Sequence, residues 1–176
     1  MDKVTEERIK ILHPRIIQGV TEAIITIEKR GVGVRLTQTL RTIMEQNNLF
    51  AQGRTQEQLN KLGLTNVIAK PSMPKVTNAR GGLSWHNFGL GADFILMHKD
   101  KTISYNMKED LDKDGVPDWM ECVEEFTKRG FDWGGNWTSF PDYPHIQKTF
   151  GLTIQRALEM CNAKKVDSRG YIQIPF

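Results

Sequence analysis

Two short segments of the chain hold an imidazole at close spacing from a carboxylate. In the segment Ser84–Asp93, His86 precedes Asp93 by seven positions, with glycines between them. Further along the chain, Asp142 precedes His145 by three positions. Two histidines and one aspartate make a three-ligand set for zinc that leaves a fourth position for water. We therefore predict that His86, Asp93 and His145 bind a zinc ion. Asp142 would lie beside the metal, where a general base can take a proton from the attacking water.

The alternative for each histidine is an ordinary packing or surface role, which is the commoner fate of a single histidine. His13 and His98 lack a comparable setting and are interpreted in that way. The other two of the four histidines lie in segments rich in glycine, proline and aromatic residues, each close in sequence to a carboxylate. This coincidence favours a shared metal site.

These motifs, together with an upstream segment, resemble the peptidase M15 family. The pattern Ser-x-His-x-x-Gly-x-x-x-Asp at 84–93 is followed by Trp-Gly-Gly at 133–135 and by Asp-x-x-His at 142–145. The segment 40–55, with Arg41 and Gln-Gly-Arg-Thr, is similar to one found in the endopeptidase branch, which includes many phage endolysins. Two departures, Thr39-Leu40 where the family usually has Gly-Tyr and Gly91 where it usually has Ala, remove no chemical group.

The resemblance implies a zinc peptidase that cleaves peptidoglycan stem peptides as an L-alanyl-D-glutamate endopeptidase. It also implies that Arg41 stabilises the oxyanion formed when water attacks the peptide carbonyl. Ser84, Trp133 and Trp137 are expected to face the substrate. The alternatives are a surface role for the arginine and aromatic packing for the two tryptophans.

The segment Asp110–Glu121 matches the twelve-residue EF-hand calcium loop. Carboxylates occupy positions 1, 3, 5, 9 and 12, and a glycine occupies position 6, where the loop turns sharply. The predicted calcium ligands are the side chains of Asp110, Asp112, Asp114, Asp118 and Glu121 and the carbonyl of Val116. The alternative is a solvated acidic loop. We expect calcium to order the loop and the helix after it, and through them the segment that carries Asp142 and His145.

The chain length of 176 residues and the overall composition favour one soluble domain, 1–176, with a hydrophobic core. A net charge of only +3 argues against a nucleic-acid binder, whereas a pI near 8.9 favours contact with anionic cell-wall polymers. No apolar run approaches membrane-spanning length, and the N-terminus lacks a signal-peptide core. We expect a monomer that is made in the cytoplasm and acts on the bacterial cell wall, with peptidoglycan as its partner.

Hydrophobic periodicity and turn residues predict an α+β fold, in which a small antiparallel sheet carries the zinc site and helices flank it. The predicted strands are 32–37, 92–97 and 102–106. The predicted helices are 3–30, divided near Pro14, then 42–51, 56–62, 119–128 and 153–161. In the helix at 42–51, Ile43, Met44, Leu49 and Phe50 are expected to face inward.

Three other functions remain open at this point. The chain has the residues of a D-alanyl-D-alanine carboxypeptidase, or of a zinc hydrolase acting on another amide. It could also be a non-catalytic calcium- or wall-binding module on the same fold. Such a module would be expected to lack a ligand or the base, and neither is missing.

Overall fold

The computed structural model describes residues 1–175, which group into two compact units. Met1–Leu40 and Gly89–Gly151 form the first unit, and Arg41–Phe88 with the segment from Leu152 onward forms the second. The single domain expected from the chain length stays a prediction.

The described residues form helices, short strands and two 3-10 turns, Trp85–Phe88 and Gly134–Asn136. In chain order the elements are α1 (Lys3–Lys10), α2 (Pro14–Arg30), β1 (Val34–Gln38), α3 (Ile43–Phe50), α4 (Gln56–Lys61), β2 (Gly91–Met97), β3 (Ile103–Ser104), α5 (Asp118–Lys128), β4 (Asp132–Trp133), β5 (His145–Gln147) and α6 (Ile154–Asn162). No helix within residues 1–175 is both long enough and apolar enough to span a lipid bilayer.

The two N-terminal helices begin and end where their residue types favour it. The Asp2 carboxylate caps α1 by accepting a hydrogen bond from the Thr5 amide at 2.9 Å. Pro14 is the first residue of α2, a position where its missing N–H is not needed. Gly31 ends α2 with φ 103°, a left-handed conformation that glycine adopts without steric cost. The division of the predicted 3–30 helix near Pro14 is thus confirmed.

All five strands belong to the first unit and form one antiparallel sheet. Its order is β1-β2-β5-β4, and β3 pairs with the far end of β2. The strand predicted at 102–106 is present and pairs with β2, but it is short, because β3 has only two residues. β4 and β5 were not predicted, since strands of two and three residues show no periodic pattern.

Helix α5 packs an aromatic cluster against the sheet. The ring of Phe94, on β2, lies 4.9 Å from the ring of Trp119 and 5.5 Å from that of Phe126. Phe131 meets Phe126 edge-on at 6.0 Å. These spacings are those of favourable aromatic pairs, and all four side chains are buried. The cluster therefore fixes α5 on the sheet that carries Asp93 and His145.

The second unit contains α3, α4 and α6. Capping boxes start the first two of these helices, with Thr42 and Glu45 at α3 and Thr55 and Gln58 at α4. The prediction for the buried face of α3 is right for Phe50, which is buried, but wrong for Ile43 and Met44, which are exposed. Leu49 is half-buried. The buried residues of α3 are Gln46, Asn47 and Phe50.

Amide side chains replace apolar ones on this face because the neighbouring segment is a loop whose backbone needs hydrogen-bond partners. Gln46 Nε2 donates to the Ala79 carbonyl at 2.7 Å, and Asn47 Oδ1 accepts from the Gly81 amide at 2.7 Å. A Cβ at Gly81 would lie 2.6 Å from the Ile43 carbonyl oxygen, so only glycine allows this close approach. Sequence periodicity alone does not reveal such a polar contact surface.

Candidate active site

Asp93 and His145 face each other across two paired strands of the first unit. They are direct partners in the register of β2 and β5. The distance from His145 Nδ1 to Asp93 Oδ1 is 3.0 Å. A further backbone bond, from the Phe94 amide to the Pro144 carbonyl at 3.0 Å, extends the pairing toward the loop before β5. Two of the three predicted zinc ligands are therefore held together on a sheet, which limits their movement.

The second ring nitrogen of His145 has a partner that the sequence did not suggest. His145 Nε2 lies 3.1 Å from Gln147 Oε1. Burial of the ring acts to lower the pKa of His145, but the hydrogen bond and charge of Asp93, and then the charge of Asp142, raise it overall. Side chains two residues apart on a strand lie on the same face, so the spacing of His145 and Gln147 is consistent with this contact.

The surroundings of this ring fit a cation. If Nε2–H donates to Gln147, the lone pair of Nδ1 points at a carboxylate oxygen of Asp93. Two electron-pair donors in that arrangement share a positive charge, which is either a proton on the ring or a metal ion between them. An imidazole nitrogen and a carboxylate oxygen are both donors that zinc accepts.

The candidate base, Asp142, is held by its backbone on the turn before β5. Its amide donates to the Gly134 carbonyl at 3.1 Å, and its carbonyl accepts from the His145 amide at 3.1 Å. A Cβ on Gly134 would lie 2.5 Å from the Asp142 carbonyl oxygen and 3.1 Å from the Cβ of His145. Gly134, the first glycine of the Trp-Gly-Gly run, thus allows the backbone to pack closely beside the base.

The two tryptophans expected to face the substrate lie beside β5, which begins with His145. The ring of Trp137 is 5.3 Å from the imidazole ring, and Trp133 Nε1 donates to the Tyr143 carbonyl at 2.7 Å. Both line a cavity of about 350 Å³, together with Gln147. Trp133 is mostly buried, whereas Trp137 is 38% exposed and open to a ligand.

The second unit brings His86 and Arg41 together through their backbones. His86 is buried on the turn Trp85–Phe88, and its carbonyl accepts from the Arg41 amide at 3.0 Å. Asn87 Nδ2 donates to the Arg41 carbonyl at 2.9 Å. The guanidinium of Arg41 donates to Gln46 Oε1 at 2.7 Å. Ser84 immediately precedes this turn, and its carbonyl accepts a hydrogen bond from the Asn87 amide at 2.9 Å.

Carboxylates converge in two overlapping groups within the segment Asp110–Glu121. In each group, made of Asp110, Asp112 and Asp118 or of Asp112, Asp114 and Glu121, the oxygens lie within 4.8 Å of one another. Burial is the largest cause that raises the pKa of Asp118 and of Glu121, and nearby aspartates add to it. Gly115 has φ 90° at the sharp turn, as loop position 6 requires. Val116, at position 7, is 44% exposed.

Comparison with known proteins identifies the family. The chain is 38% identical over 136 residues to the peptidoglycan L-alanyl-D-glutamate endopeptidase CwlK of Bacillus subtilis, over 77% of this chain and 72% of the relative. The chain belongs to the peptidase M15 family. Residues 77–148 match a model of this family described as D-alanyl-D-alanine carboxypeptidase.

The fold agrees with that assignment. The L-Ala D-Glu endopeptidase ChiX of Serratia marcescens is similar with a TM-score of 0.52 and 17% identity, over 85% of this chain and 90% of that one. The predicted α+β fold with a small antiparallel sheet is confirmed, and so is the prediction of an M15 peptidase. The roles assigned to individual residues, and the two metals, stay predictions.

The contact at Gly134 leads to a testable expectation. Gly134→Ala should lower the free energy of unfolding by about 1–3 kcal/mol, because the added methyl group forces the backbone of Asp142 to move. It should also shift the imidazole NMR signals of His145. Gly63→Ala is the control, since its Cβ meets nothing within 4 Å and its φ of 76° adds only backbone strain. Unchanged His145 signals in Gly134→Ala would show that the close approach is not needed.

Proposed function

We propose that this chain is a zinc peptidase that hydrolyses the L-alanyl-D-glutamate bond of peptidoglycan stem peptides. The observation that carries the proposal is the 3.0 Å contact between His145 Nδ1 and Asp93 Oδ1 on paired strands. The similarity to CwlK, whose name states this activity, supports the choice of bond. The protein would act on the bacterial cell wall as a bacteriolytic enzyme of the endolysin type.

His86, Asp93 and His145 would hold the zinc ion. Zinc supplies a Lewis acid that polarises the scissile carbonyl and makes water acidic enough to attack at neutral pH. The chain contributes the orientation of the donors. Gln147 directs Nδ1 of His145 toward Asp93, and strand pairing keeps both at one position. The family motif that includes Ser84 and His86 is the basis for adding the third ligand.

Asp142 would act as general base and then as general acid. Its carboxylate takes a proton from the attacking water and delivers it to the leaving amine. Two backbone hydrogen bonds, to Gly134 and from His145, hold the residue in place for both steps. Arg41 would stabilise the negative oxygen of the tetrahedral intermediate, and its bond to Gln46 orients the guanidinium. Ser84, Trp133 and Trp137 would contact the stem peptide.

We also propose that calcium binds the segment Asp110–Glu121 and regulates the peptidase. The spacing of the acidic residues supports this, as does the convergence of their oxygens within 4.8 Å. Helix α5 begins inside the segment and leads to β4 and the turn that holds Asp142. Ordering the loop would therefore order the start of the chain segment that carries the base.

A second candidate function is a D-alanyl-D-alanine carboxypeptidase, which the description of the matching family model favours. The two activities release different products. An endopeptidase exposes a new glutamate amine inside the stem peptide, whereas a carboxypeptidase releases free D-alanine.

Digestion of purified peptidoglycan tests the function directly. The wild-type protein should expose new N-terminal glutamate, detected by amine labelling and mass spectrometry. A chelator should abolish this activity, and added zinc should restore it. His145→Ala should lose both zinc and activity, because it removes a ligand. Release of D-alanine alone would favour the carboxypeptidase, and absence of any product would favour a non-catalytic wall-binding module.

Substitution of the base separates its role from that of a ligand. Asp142→Asn should keep zinc, measured by metal analysis, while turnover falls by about 10²–10⁴-fold because the proton acceptor is gone. The matched control is Asp100→Asn, which changes an exposed aspartate outside this site and should leave turnover unchanged. If Asp142→Asn loses zinc instead, the residue is a ligand and the assignment is wrong.

Calcium titration at fixed zinc tests the proposed regulation. Wall hydrolysis by the wild-type protein should rise as calcium is added, since calcium favours the ordered loop. The double variant Asp110→Ala, Asp112→Ala should lose this response while it keeps zinc. Asp100→Ala, which removes an exposed acidic group outside the loop, should respond like the wild type. If the wild-type protein is as active in calcium-free buffer as in calcium, the loop has a structural role only and does not regulate the peptidase.

A further inference from the structure

An arginine from a different helix already contacts the last acidic residue of the loop. Arg30 is the final residue of α2, and its NH1 donates to Glu121 Oε1 at 3.1 Å. The same guanidinium also pairs with Glu125, one turn further along α5, and lies 3.5 Å from Glu124. The side chains of Glu121 and Glu125 are each only 4% exposed, so water screens these pairs weakly.

The other oxygen of Glu121 lacks a comparable partner. Among the residues the structure describes, Glu121 Oε2 is buried and has no hydrogen-bond partner. The same carboxylate lies within 4.8 Å of the carboxylate oxygens of Asp112 and Asp114. A buried carboxylate oxygen without a partner is costly, and two further carboxylates nearby increase that cost. A cation bound among these three carboxylates would lower that cost.

We propose that Arg30 competes with calcium for Glu121 and thereby sets the calcium affinity of the loop. This inference depends on the calcium site proposed above. The twelfth residue of such a loop binds calcium with both carboxylate oxygens. One of the two oxygens of Glu121 is the acceptor for Arg30, so calcium and the guanidinium would meet at the same atom.

Charge makes this competition unfavourable for simultaneous binding. Calcium lies about 2.4 Å from its oxygen ligands. A calcium ion on Glu121 Oε1 would therefore approach the guanidinium to within a few ångströms, where like charges repel strongly in a partly buried site. Binding is then an exchange in which calcium displaces Arg30 from Glu121.

Glu125 makes the exchange feasible because it offers Arg30 a second partner. Arg30 can leave Glu121 and remain paired with Glu125, which also accepts from Arg129 NH1 at 2.7 Å. The guanidinium of Arg30, which is only partly buried, therefore keeps a carboxylate partner, whereas loss of every partner is the costly way to break an ion pair. The exchange therefore weakens calcium binding without blocking it.

The expected affinity follows from this competition. Five carboxylates on one loop would favour tight binding, whereas an internal cation on the bidentate residue shifts the affinity toward the weaker range of about 10⁻⁴–10⁻³ M seen in extracellular calcium modules. Such a loop would respond to calcium outside a cell and ignore the low cytosolic concentration.

Calorimetric titration of the zinc-loaded 176-residue chain with calcium chloride tests the inference. Arg30→Gln removes the competing charge, and its calcium dissociation constant should be at least about tenfold lower than that of the wild type. Lys128→Gln is the matched control. It removes one positive charge from the same cluster, and Lys128 pairs with Glu124 and Glu125 but not with Glu121. Its affinity should stay within about threefold of the wild type.

The possible results distinguish the competition by Arg30 from the existence of the calcium site. Equal affinities for Arg30→Gln and Lys128→Gln would overturn the competition, and weaker binding by Arg30→Gln would make Arg30 a support for Glu121. No calcium binding by any of these proteins would reject the calcium site itself. Calcium binding by Arg30→Gln alone would support the inference most strongly. Arg30→Lys keeps the charge and should bind like the wild type, and thermal melts of all variants check that they fold.

Discussion

The pairing of β2 with β5 is the interaction on which the candidate site depends. Only three residue pairs define it, and one of them is Asp93 with His145. A slip of one residue would turn His145 to the other face of the sheet and separate the two donors. Ile146, which is fully buried, resists such a slip because its side chain would have to leave the core.

Helix α5 links this site to the acidic loop. One side of the helix buries Trp119 and Phe126 against the sheet, and another buries the carboxylates of Glu121 and Glu125. Buried carboxylates are tolerated when arginines accompany them, and arginines from α2 and from the end of α5 do so here. The same helix therefore carries core packing, charge pairing and the last predicted calcium ligand. A movement of the helix that alters one of these features would therefore alter the other two.

In the second unit, polar side chains rather than apolar ones position the functional residues. The Arg41 guanidinium is oriented by Gln46, and the Arg41 backbone is joined to the turn that carries His86. Asn47 and Asn87 bond to backbone groups of neighbouring loops. This amide network explains why Ile43 and Met44 lie outside the core although the helical pattern predicted otherwise. The loops need donors and acceptors, and the helix supplies them.

The sequence by itself determined the family, the donor types and the helices. Motifs of unlike chemistry in a defined order identify the family, and capping residues with apolar stripes locate helices, because each of these signals is local. Tertiary structure decided the rest. β5 is too short to show a period, and its partner lies more than fifty residues earlier. The roles of Gln147 and of Arg30 depend on contacts made only after folding, since Arg30 and Glu121 are 91 residues apart in the chain.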